Sequence, residues 1–183
     1  MSEPALETAR LILRPWRAAD RPAYIALAID PEVGAWLGGT PTAEAAEGAF
    51  DRLLAPAADS LDHRWALVRK ADEAVVGAII LQPVSGERGH PLAGATEIGW
   101  RLFSAAWGAG YASEAAAAAL AWGFANLGVC EIVSFTAASN VRSEAVMRRI
   151  GLVRDPSRDF EHPNLAFDHP LRPHIVYVAR RPR

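Results

Sequence analysis

Gly108 and Gly110, set in Trp107-Gly108-Ala109-Gly110-Tyr111-Ala112-Ser113-Glu114 just ahead of an alanine-rich stretch, are the residues of this 183-residue chain best placed for ligand chemistry. Two glycines one residue apart let a backbone approach a bound group closely. Where a helix follows, the free N–H groups of its first turn converge on that group, and the helix dipole favours an anion. Phosphate is the natural guest; a tight strand-to-helix turn with no ligand is the plain alternative. A P-loop is excluded, because no Lys-Ser or Lys-Thr follows the second glycine. A dinucleotide site is disfavoured, because Ser113 stands where a third glycine belongs and Glu131 opens the next strand instead of ending it. A pyrophosphate loop of another kind remains.

Acid–base candidates lie close by. Thr96 to Phe103 alternates as a strand does, which puts Glu97, Gly99, Arg101 and Phe103 on one face. A carboxylate there can serve as a general base if partial burial lifts its pKa toward the working pH. An ion pair between Glu97 and Arg101 is the structural alternative. Ser143, Val146, Met147 and Ile150 recur at i, i+3, i+4 and i+7, so Ser143 sits on the inward stripe of a helix. Its hydroxyl needs a partner, either locally near Asn140 or in a ligand. His162, His169 and His174 crowd into 13 residues with Asp159, Glu161 and Asp168. Zinc prefers close histidine pairs on regular structure. Only His169 and His174 have such spacing, across a proline-rich stretch, so no metal is expected. The lone Cys130 excludes an internal disulfide and reads as a small buried hydrophobe.

Elements must hold these residues in place. Arg10 to Trp16 alternates as a first strand. Asp20-Arg21-Pro22 opens a helix with proline in its first turn, and Thr42 caps another that runs to Leu54. Arg64–Val68 and Ala74–Leu81 are strands joined by a polar turn of hairpin length. Ser85 to Gly94 is a loop. A helix from Ala112 to Leu127 is favoured by its alanines and stopped by Gly128, with Leu120, Phe124 and Leu127 as its packed face. Glu131–Thr136 is a β-branched strand, Asn140 caps a helix over Val141–Ile150, and His174–Ala179 is the last strand. This order predicts an α/β (α+β) fold in one domain over residues 1–183. Its mixed, mostly antiparallel sheet has about seven strands, with helices on both faces.

Nineteen Lys and Arg against 21 Asp and Glu give a formal charge of −2. Such a balance leaves no electrostatic footprint for nucleic acid and no basic patch for a membrane; Arg180-Arg181-Pro182-Arg183 reads as a short solvated tail. Ala115–Ala119 sits among polar residues and is no membrane span. The start lacks the apolar core and cleavage site of a secretory signal. A cytoplasmic protein, monomer or homodimer, is expected.

Three segments, in the right order, resemble one family. Trp107-Gly108-Ala109-Gly110-Tyr111-Ala112, followed by Ser113-Glu114-Ala115, is similar to the phosphate motif of the GNAT superfamily of acetyl-CoA-dependent N-acyltransferases, in the branch of the ribosomal-protein N-terminal acetyltransferases. Trp107 stands where the superfamily has Gln or Arg. Asn140, Ser143, Arg149 and Gly151 resemble its second cofactor motif, with Leu152 in place of an aromatic, and Leu6 to Pro15 resembles the branch's first strand. The resemblance implies a GNAT fold and transfer of acetyl from acetyl-CoA to a primary amine of a protein N-terminus or small molecule. Attack would be direct, in a ternary complex, which agrees with the lack of a nucleophile elbow. A non-catalytic acyl-CoA-binding domain is the alternative.

The same resemblance distributes roles. Trp107, Gly108, Ala109, Gly110, Tyr111, Ala112 and Ser113 would hold the pyrophosphate, mainly by backbone, while Arg101, Leu102 and Phe103 would bond the pantetheine. Asn140 and Ser143 would also touch the cofactor, with Ser143 as general acid to Glu97 as base. The last two strands would splay beside the thioester, and the loop between them, through Phe160, His162 and His174, would shape the acceptor pocket. Trp36, in a flexible Asp30–Gly39 segment, would roof it. Carboxylates in that loop would draw in a cationic amine, and an imidazole with an ordinary pKa near 6.5 would take its proton.

Overall fold

Leu11 and Leu13, Trp65 and Leu67, and Ile79 and Leu81 are all fully buried and pack in one cluster, so three successive alternating strands turn their apolar sides the same way. The computed structural model describes residues 5–55, 62–86 and 89–181; the first four residues, part of the Ser85–Gly94 loop, and Pro182 and Arg183 of the basic tail lie outside these. Among the described residues one sheet contains β1 (Leu6–Glu7), β2 (Leu11–Pro15), β3 (His63–Arg69), β4 (Val75–Pro83), β5 (Thr96–Leu102), β6 (Glu131–Ala137), β7 (Val153–Arg154), β8 (Phe160–Glu161) and β9 (Pro173–Arg180). Their order is β1-β2-β3-β4-β5-β6-β9-β7, with β8 also beside β9. The sheet has more strands than the sequence suggests because β1, β7 and β8 are two residues long, too short to leave a periodic pattern. Every pairing is antiparallel except β5 with β6.

Among the described residues five α-helices cover the two faces: α1 (Arg21–Ile29), α2 (Pro31–Gly34), α3 (Ala43–Leu54), α4 (Tyr111–Asn126) and α5 (Val141–Arg149). On one face, Phe50 of α3 and Tyr24 of α1 pack with Trp16, Ala66 and Val68. On the other, α4 lies over the centre of the sheet, and α5 brings Met147 against Leu152, Tyr177 and Ala179. The fully buried face of α4 is Ala115, Ala116, Ala119 and Gly123, with the Leu120-Phe124-Leu127 stripe read from sequence packed beside it. Small residues let the helix axis come close. A Cβ on Gly123 would lie 2.7 Å from Leu81 Cδ2 and 3.0 Å from Ile132 Cδ1. Leu120, Phe124 and Leu127, half-buried, pack against the flank of the same core, and the first two also reach the α5 cluster.

Two further expectations change. Cys130 is exposed, since it precedes the first buried rung of β6 and only its carbonyl is engaged, accepting from Arg181 N–H at 2.9 Å. Arg180 and Arg181 are exposed, as expected, but are not a loose tail: Arg180 ends β9, and Arg181 donates to the Phe124 carbonyl at the end of α4.

Candidate functional site

The sheet opens between β5 and β6. Their parallel ladder consists of the single partner pair Glu97 and Val133, supported by the Ser134 hydroxyl donating to the Ile98 carbonyl at 2.8 Å. Beyond that rung no ladder joins the strands, and their C-terminal halves present free edges. The expected splay between the last two strands is absent: β6 and β9 pair continuously from Glu131 with Arg180 to Ala137 with His174. The opening is one strand further in, because α4 must cross over between β5 and β6 while β9 returns directly alongside β6.

Strand geometry decides which backbone groups face this opening. Phe103 N–H donates to the Val76 carbonyl at 3.1 Å, so the odd-numbered residues of β5 direct their backbone to β4. Arg101 and Phe103 are therefore turned away from the free edge, and Trp100 and Leu102 face it. The Leu102 carbonyl accepts the Trp107 indole N–H at 2.8 Å. Trp107 thus pins the glycine loop to the strand, and the Arg142 guanidinium lies 4.7 Å above its ring. Trp100 was missed because spacing alone does not tell which strand a backbone edge will meet.

The glycine loop stands at the mouth of the opening. Gly108 and Gly110 have φ of +77° and +82°, a conformation that only glycine adopts freely. Nothing lies within 4 Å of where a Gly108 Cβ would be. Thr42 and Asn140 close the first turns of α3 and α5 with side-chain bonds, whereas α4 starts from Gly110 with no side-chain cap. Its first N–H groups, at the positive end of a 16-residue helix, are left without a capping side chain. Such a cradle fits the pyrophosphate of coenzyme A, and no side chain competes for it.

Arg10 holds the cradle from behind. Its guanidinium donates to the Ala109 carbonyl at 2.9 Å, pairs with Glu114 at 2.7 Å, and lies 4.6 Å from the Tyr111 ring centroid. Glu114 also accepts from the Thr8 hydroxyl at 2.6 Å. The first-strand segment is thereby tied to the loop, a role that needs contacts about a hundred residues apart and leaves no local signal. Arg10→Ala should weaken coenzyme A binding about fivefold, roughly 1 kcal/mol for an ion pair half in solvent, by calorimetry on the folded variant.

At the end of β6, Asn140 Oδ1 accepts from Ser143 N–H at 3.1 Å, so its side chain is spent as a helix cap. Ser143 is half-buried one turn before the buried Met147, and among the described residues its hydroxyl makes no hydrogen bond. Arg149 reaches across to the Ser113 hydroxyl at 2.9 Å, joining the two motifs.

Glu97 faces the other side of the sheet. Its carboxylate accepts from Gln82 Nε2 at 2.5 Å and does not ion-pair with Arg101. Burial pushes its pKa up, opposed by the Gln82 bond and the charge of Arg101.

Phe160, His162 and His174 come together on this same face, joined by two residues the sequence did not single out. His162 and His174 ring centroids are 4.7 Å apart, Phe160 and His174 are stacked at 5.4 Å, His90 meets Phe160 at 4.8 Å, and Phe135 meets Phe160 at 5.4 Å. A hollow of about 330 Å³ opens beside them between Ala138, Asp159, Phe160 and His174. His174 Nδ1 lies 3.1 Å from the Arg172 carbonyl; a carbonyl only accepts, so Nδ1 carries the proton and Nε2 keeps its lone pair. The imidazoles are not ordinary. Burial, reinforced by His174 and His90, drives His162 down to about 4, and burial also lowers His90 and His174. They are neutral at pH 7 and are weaker bases than the sequence implies. Two of the three loop carboxylates are engaged, Asp159 by Arg154 and Glu161 by Arg172, while Asp168 is exposed. Among the described residues no cluster of His, Cys, Asp and Glu could hold a metal ion.

Trp36 is half-buried and makes no ring contact with this cluster. Its segment is not irregular: α2 is capped by Asp30, which accepts from Glu32 and Val33 N–H. The segment does meet the loop between β8 and β9, because Leu165 Cδ2 fills the place a Gly38 Cβ would need, 2.5 Å away.

Among the described residues no helix is long and apolar enough to cross a membrane. The family description "Acetyltransferase (GNAT) domain" matches residues 10–153. FsC-acetyl coenzyme A-N(2)-transacetylase of Aspergillus fumigatus is 33% identical over 155 residues, 82% of this chain and 66% of that protein, so the match spans just under two thirds of that relative. The ribosomal-protein-S5-alanine acetyltransferase of Vibrio fischeri superposes with a TM-score of 0.77 at 16% identity, covering 97% of each chain. The spermidine N-acetyltransferase of Vibrio cholerae, solved with CoA and spermine, gives 0.74 at 14% identity over 94% of this chain and 96% of its own. At such identities the two structures speak for the fold alone, and their named acceptors differ. With the family match spanning most of the sequence and the fold shared with these structures, this chain belongs to the GNAT acetyltransferase family.

Proposed function

We propose that the protein transfers the acetyl group of acetyl-CoA to a primary amine in a direct ternary complex. The observation that carries this reading is the glycine-opened, uncapped start of α4 at the mouth of the β5–β6 opening. Bound there, acetyl-CoA supplies an acyl group activated as a thioester. Gly108 to Ser113 hold the pyrophosphate by backbone N–H groups, and the free edge of Trp100 and Leu102 guides the pantetheine arm down between the strands. That path ends at the last rung, where Glu97 stands.

Glu97 then takes a proton from the acceptor nitrogen. The nitrogen lone pair forms the new N–C bond at the acyl carbon as the C–S bond breaks, and the sulfur leaves with the electron pair. The unbonded Ser143 hydroxyl is the proton donor on the opposite side. Phe135, Phe160 and the neutral imidazoles give the acceptor a largely apolar, uncharged wall.

Acetyl-CoA alone should release thiol slowly, by hydrolysis, and addition of a suitable amine should accelerate release at least tenfold. Tight coenzyme A binding with neither reaction would instead make the protein an acyl-CoA-binding domain.

A further inference from the structure

Arg101 stands out on the acceptor face. Among the described residues its guanidinium makes no hydrogen bond and no ion pair, although Arg10, Arg14, Arg64, Arg69, Arg154 and Arg172 are all paired. The side chain is exposed, so a ligand can reach it, yet enough protein surrounds it, including Tyr24 of α1 and Arg64 of β3, for desolvation to depress its pKa. Its cross-strand neighbour Ala78 and its same-face neighbour Gly99 are small, so room is left beside the guanidinium. Five N–H donors in a planar fork, held by no protein acceptor and open to an arriving ligand, match a carboxylate edge-on.

The rest of the face agrees with one occupant. Gln82 Oε1 is buried without a partner next to Glu97, ready to accept an N–H of an amine. His90 Nδ1 accepts from Leu92 N–H, so its Nε2 carries a proton, and that buried N–H also lacks a partner. A polyamine would bring additional cations beside Arg101 and Arg64, with Asp159 and Glu161 already taken by Arg154 and Arg172. Taking acetyl transfer at this site as proposed above, we infer that the acceptor is an amine carrying a carboxylate, with the carboxylate on Arg101 and the amine between Gln82 and Glu97. Glu97 and Arg101 are four residues apart on one strand, roughly 13 Å between Cα atoms before their side chains lean together. Both α-amino acids and longer ω-amino acids therefore belong in the test.

Thiol release is measured at saturating acetyl-CoA with phenylalanine, methionine and 6-aminohexanoate, each beside its carboxamide, and with spermidine and an N-terminal-alanine peptide amide. In the α-amino pairs the carboxamide has the less basic amine, so more of it is deprotonated at any pH and the bias runs against the inference. At least one carboxylated amine should exceed its carboxamide, spermidine and the peptide amide tenfold or more in kcat/KM. Arg101→Gln should raise KM for that amine tenfold or more without moving KM for its carboxamide, and Arg101→Lys should recover part of the loss. Preference for spermidine, the peptide amide or a carboxamide would overturn the inference while leaving acetyl transfer intact, as would an Arg101→Gln effect equal for both members of a pair. If no amine accelerates release, acetyl transfer itself fails, and the inference with it.

Discussion

Glu97→Gln should lower kcat by about 10²–10⁴-fold, the usual cost of removing a positioned general base. The substitution keeps the shape of the side chain and a hydrogen bond to Gln82, so the fold should be unaffected and the loss should be chemical. The pH profile gives the sharper test. The base must be ionised to work, and burial raises its pKa, so the rate should fall as pH drops through that raised value. The acid limb should therefore lie above the range of an ordinary glutamate. In the Gln variant the residual rate should lose that limb. A variant that keeps turnover within a few-fold, or keeps the limb, would remove Glu97 from the role and leave the proton to water or the acceptor itself.

Gly110→Asp should weaken coenzyme A binding at least a hundredfold, about 2.7 kcal/mol. Gly110 has a φ of +82°, a region aspartate tolerates better than most residues, so the loop can still form. The added carboxylate would sit among the N–H groups meant for pyrophosphate, filling them and repelling the ligand. A Cβ there lies 3.4 Å from Arg10 Nη2, so the new charge would also draw Arg10 away from Glu114. Gly110→Ala separates strain from charge and should cost much less. Calorimetry on folded protein decides: unchanged affinity in the Asp variant would mean the phosphates bind elsewhere.

How much of this was legible in the sequence depends on the range of the interaction. Caps, glycine stops and alternation are local, so Thr42, Asn140 and the helix that starts beside Gly110 were readable from neighbouring residues. The glycine loop was legible for the same reason. Arg10 behind that loop was not, nor was His90 joining His162 and His174, because each contact closes a long stretch of chain. Exposure of Cys130 and the small-residue face of α4 depend on how close two elements approach, which periodicity does not encode. The titration of the histidines failed to follow from their type because burial and mutual repulsion, not composition, set their pKa.

Leu165 seated against Gly38 ties together two segments far apart in sequence, one following α1 and the other leading into β9. Residues at the two contact points cannot vary independently, since any side chain at 38 collides with Leu165 and a shorter residue at 165 leaves a hole beneath 38. The acceptor wall proposed above would thus be inherited as a matched pair of loops. A graft that moves the histidine-bearing loop into a related scaffold should carry the Asp30–Gly39 segment with it, or the recipient will receive half of a wall.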